Sequence, residues 1–86
     1  MKENEVNAKI QAIGFTYIGM CACPGRVRKF RWKPGSGPTL LIKHHQSSKF
    51  VQLYRDGIQI NIAKYGIFEK FIQDTQEVQR TIAAGA

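Results

Sequence analysis

The sequence predicts an α+β fold: an N-terminal helix, an antiparallel sheet of four or five strands and a C-terminal helix, with both helices packed on one sheet face. Three observations carry this expectation. Apolar residues recur at helical spacing only near the two ends of the chain. The middle is cut into short alternating or β-branched runs by Pro-Gly, Gly-rich and Asp-Gly breaks. Finally, 86 residues suffice for one core only, so the whole chain, 1–86, is expected to be a single domain.

In the first helix, Glu3 to Ile13, the residues Val6, Ile10 and Ile13 share a face, Asn4 is the candidate N-cap and Gly14 the terminating glycine. "FTYIGM" reads as a strand, followed by a turn in "CPGR", Cys23 to Arg26. A second strand runs from Val27 to Lys33. Two prolines and two glycines then make Pro34 to Pro38 a loop, because they pair in neither helix nor ladder. "TLLIKHH" is the third strand. Asp56-Gly57, set between "KFVQLYR" and "IQINI", predicts a hairpin with a two-residue type I′ turn. Counting outward from it pairs Arg55 with Ile58, Leu53 with Ile60 and Val51 with Ile62, which would place the three isoleucines in the core. The second helix, Lys64 to Ile82, carries Ile67, Phe68, Phe71, Ile72, Thr75, Val78 and Ile82 on one stripe.

Charge is segregated along this plan. Thirteen Lys and Arg against six Asp and Glu give a net charge of +7. The thirty residues from Arg26 to Arg55 hold eight of the bases and no acid. Nucleic acid, an anionic membrane surface or an acidic protein are the partners such a charge suits, and charge alone does not choose among them; nucleic acid is expected first, then an acidic protein. No apolar run is long enough to span a bilayer and no apolar leader stands at the start, so neither membrane span nor signal peptide is expected; no membrane partner is expected, and the location expected is cytoplasmic. Cys21 and Cys23, one residue apart, are poorly spaced for an unstrained disulfide and are expected to be reduced.

Alternation assigns the faces. In the second strand Phe30 and Trp32 point to the core, and Lys29, Arg31 and Lys33 away from it. In the third, Leu40, Ile42 and His44 point inward, and Leu41, Lys43 and His45 outward. Phe50, Gln52, Tyr54, Gln59 and Asn61 complete the expected outer face. Cations interleaved with rings suit phosphates and unpaired bases. The function expected is therefore non-enzymatic nucleic-acid binding through Arg26, Arg28, Lys29, Arg31, Lys33, Lys43, His45, Phe50 and Tyr54. Single strands are favoured over duplex, and neither cofactor nor metal is called for. The competing reading is a structural or adaptor protein, such as a phage or mobile-element component, that forms a homo-oligomer or takes an acidic protein partner through Phe50 and Tyr54.

Other chemistries are incomplete. "CAC" with His44 and His45 has the ligand types of a zinc site but not the spacing. His44 or His45 could act as acid-base in metal-free RNA cleavage, with Lys43, Lys49 or Arg55 holding the phosphorane and Tyr54 nearby, yet nothing in the spacing requires it. "KPGSGPT" lacks the Lys-Ser/Thr that closes a phosphate loop. The order helix, sheet, helix occurs in double-stranded RNA-binding modules, small toxins and mobile-element proteins alike, so it carries no function by itself.

Overall fold

The computed structural model describes residues 1–21 and 25–85. Helix α1 spans Glu3–Ala12; strands β1 Thr16–Cys21, β2 Val27–Trp32, β3 Leu40–His45, β4 Phe50–Arg55 and β5 Ile58–Lys64 follow; a 3-10 turn, Tyr65–Ile67, leads into α2, Phe68–Ala83. The sheet is an antiparallel meander in the order β1-β2-β3-β4-β5, so β1 and β5 are its edges. The α+β fold and its order of elements are those the sequence predicts. The expected turn at Cys23 to Arg26 falls largely on residues 22–24, outside the described residues.

Both helices lie on one sheet face. Val6 and Ile10 of α1 and Phe68, Phe71 and Ile72 of α2 close over Phe30, Leu40, Ile42, Val51, Leu53 and Ala63. Trp32 is half-buried at the margin of this core, its ring 6.5 Å from that of Phe15. Gly14, at φ +102°, ends α1 as expected of a terminating glycine, whereas the N-cap is Lys2 and not Asn4. Two tethers hold the helices to each other: Lys9 pairs with Glu69 at 2.5 Å, and the Gln79 side chain donates to the Ile13 carbonyl at 2.9 Å; within α2, buried Thr75 satisfies its hydroxyl by donating to the Phe71 carbonyl at 2.8 Å.

Asp56 and Gly57 both have positive φ, as a type I′ turn requires, and Arg55 pairs with Ile58. Beyond that pair the expected register fails. Tyr54 faces Gln59, but Leu53 faces Asn61 and Val51 faces Ala63, because the ladder is bulged between Leu53 and Tyr54 and Ile60 is the extra residue. A one-residue shift moves every later side chain to the opposite face. Ala63 is therefore the buried residue and Ile62 is 50% exposed, while Ile58, which keeps its expected pairing beside the turn, is 70% exposed at the open end of the hairpin. The other edge is bulged as well, at Ile18, beside Gly19 with φ +133°. Bulges at both edges blunt strand-to-strand association.

Candidate nucleic-acid interface

The register of the four ladders arranges the uncovered face into three rows that each cross all five strands. The first is Cys21, Val27, His45, Phe50 and Lys64; the second Gly19, Lys29, Lys43, Gln52 and Ile62; the third Thr16, Arg31, Leu41, Tyr54 and Gln59. None of these residues is acidic. The Asp and Glu residues lie instead in α1, in the β4–β5 turn and in α2. Among the described residues the ion pairs join Lys9 to Glu69, Lys70 to Asp74 and Arg80 to Glu77, all between helical side chains. The acids thus neutralise the helical side, and Lys29, Arg31, Lys43 and Lys64 have no acidic partner among the described residues.

Rings and amides hold this face in shape. The His45 and Phe50 rings, opposite each other on β3 and β4, stack at 4.2 Å with 9° between their planes. His45 Nε2 donates to Gln52 Oε1 at 2.5 Å, and Gln52 Nε2 donates on to Gln59 Oε1 at 2.7 Å, so an amide chain runs from β3 to β5. Lys43 Nζ lies 4.8 Å from the centre of the Tyr54 ring. A depression of about 270 Å³ opens among Cys21, Val27, Lys29, Lys43 and His45. A more apolar one, of about 450 Å³, lies at the other side of the stacked pair, among Phe50, Ile62, Ala63, Lys64, Gly66 and Ile67.

Of the residues singled out in the sequence, Lys29, Arg31, Lys43, His45, Phe50 and Tyr54 share this face. Arg26, with φ +51°, is exposed just before β2, and Lys33 is exposed just beyond its end. Arg28 is apart from them. It pairs with His44 on the helix-covered side, its guanidinium carbon 5.5 Å from the Tyr17 ring centre and its Nε buried with no hydrogen-bond partner among the described residues. Sequence reasoning missed Ile62 and Lys64, which the β5 bulge turns toward this face.

His44 is fully buried on the covered side. Its Nδ1–H donates to Asn7 Oδ1 at 2.7 Å, and its Nε2 accepts from the Tyr65 hydroxyl. Burial, then the nearby Arg28 charge, then His45 lower its pKa from 6.5 to about 4. Burial, with Glu3 nearby, raises that of Tyr65. The imidazole is therefore neutral with both nitrogens satisfied, a structural clasp joining α1, β3 and the 3-10 turn. Cys21 is disulfide-bonded, which corrects the expectation of a reduced thiol; Cys23 lies outside the described residues. Among the described residues no group of three or more His, Cys, Asp and Glu side chains is placed to hold a metal ion. No described helix is long and apolar enough to cross a membrane.

No family model matches this chain, and neither a curated protein nor a solved structure does.

Proposed function

We propose that the chain is a non-enzymatic nucleic-acid-binding domain that grips phosphates across the uncovered sheet face. The observation that carries this reading is the direct pairing of Lys29 with Lys43 in adjacent strands, flanked by Arg31, on a face without a carboxylate. Like charges directly opposite one another destabilise a sheet. An anion bridging the two ammonium groups converts that repulsion into attraction, and a polyanion does so along the whole row. The Phe50, His45 and Tyr54 rings supply surfaces on which unpaired bases stack.

The test is a titration with labelled single-stranded and duplex oligonucleotides at two salt concentrations. Each neutralised phosphate releases condensed counterion, so affinity should fall steeply with salt. Binding that is absent, or indifferent to salt, sinks the proposal. The competing reading is assembly with itself or with an acidic protein. It draws on exposed apolar side chains at both edges, Ile18 and Met20 on β1 and Ile58 and Ile60 on β5. The bulge in each edge strand weighs against simple strand addition, and light scattering separates the two readings.

A further inference from the structure

The apolar depression beside Phe50 is not needed to hold phosphates, and the fold leaves it open. It is lined by Phe50, Ile62, Ala63, Lys64, Gly66 and Ile67, the last in the 3-10 turn and 57% exposed. Gly66 adds no side chain, and a Cβ built there would meet nothing within 4 Å. We infer that this depression receives one unpaired nucleobase of a single strand whose phosphates lie along the Lys29–Lys43 row. The inference rests on the nucleic-acid reading above and narrows its ligand to strands with unpaired bases.

Continuity of the surface identifies the occupant. Phe50 forms one wall of the apolar depression and stacks on His45, which in turn lines the basic depression with Lys29 and Lys43. One sheet row therefore leads from a cationic hollow, across two parallel rings, into an apolar hollow that Lys64 also lines. A base followed by its phosphates has this alternation of apolar plane and negative charge. An apolar peptide side chain would use the hollow but not the cations. A volume of about 450 Å³ has room for a bicyclic base. A base-paired nucleotide cannot enter without leaving its helix, so duplex is excluded from this contact.

The decisive comparison uses two labelled probes of equal length and charge: oligothymidylate, and the same backbone made wholly of abasic sites. The wild-type protein should bind the thymidylate about tenfold or more tightly, since stacking is available only to a base. Ile67→Ser removes an apolar lining side chain, and Gly66→Leu adds one where there is open space. Both should keep the wild-type melting temperature, leave abasic binding unchanged and shrink the preference for thymidylate. Equal binding of the two probes by the wild type overturns the base site while leaving the phosphate reading standing. A preference that survives in both variants also overturns it, because the base then stacks elsewhere. Failure of both probes to bind takes the underlying nucleic-acid reading with it.

Discussion

Lys29 and Lys43 face each other across β2 and β3 with no carboxylate in their row or in the rows on either side. A protein selected only for stability gains nothing from that arrangement, since the pair repels and each ammonium has to stay hydrated. The pair therefore makes stability and binding respond in opposite directions. Lys43→Ala should leave the melting temperature unchanged or slightly raised, and should lower the slope of log affinity against log salt by about one contact. A variant that melts lower and binds as before would assign the lysine to packing, through its contact with Tyr54.

The two sides of β2 divide in the same way. Trp32 packs at the core margin against Phe15, with Gly14 beside its indole. Trp32→Ala should cost about 3 kcal/mol, which is large against a total stability on the order of 5–10 kcal/mol. Arg31→Ala, one residue away on the uncovered face, should be thermally silent and bind anions more weakly. Denaturant titrations of the two variants check the alternation on which the site depends.

That alternation was legible in β2, β3 and β4 because strict period-two patterns leave one assignment of faces. It misled in β5, where "IQINI" alternates as cleanly as a regular strand. Nothing in those residues marks Ile60 as the extra one; the bulge is set by the pairing with β4. The edge at Gly19 is different, since a positive-φ glycine there is a local sign of irregularity. The apolar depression was hidden for the same reason as the bulge. It needs Ile62 turned outward and a 3-10 turn where the periodicity suggested that α2 had already begun. The His44 clasp was beyond reach of any local pattern, because its partners are 37 and 21 residues away.

The corrected register has its own measurement. Ala63 is buried opposite Val51, and Ile62 points outward opposite Gln52. Ala63→Leu should therefore overpack the core and cost about 1–3 kcal/mol, whereas Ile62→Thr should change stability by no more than about 0.5 kcal/mol. The register counted straight from the Asp-Gly turn predicts the reverse, a costly change at Ile62 and a tolerated one at Ala63.

His44 is neutral and buried in the folded protein with a pKa of about 4, while in the unfolded chain it takes the ordinary value of 6.5. Above pH 6.5 neither state binds a proton there and the clasp contributes in full. As the pH falls from 6.5 toward 4 the unfolded chain takes up the proton first, so stability drops across that window. The folded form follows only near pH 4, where the loss levels off at about 3 kcal/mol. Protonation there also turns Nε2 from acceptor to donor and opposes the hydrogen bond from Tyr65. Urea unfolding at a series of pH values between 7 and 4 should show this decline. His44→Gln, less stable at pH 7 because its side chain cannot reproduce both hydrogen bonds, should lose that part of the pH dependence. If the wild-type curve is flat through the window, the imidazole is not held neutral by burial, and the clasp among Asn7, His44 and Tyr65 does not tie α1 to the sheet in the way described.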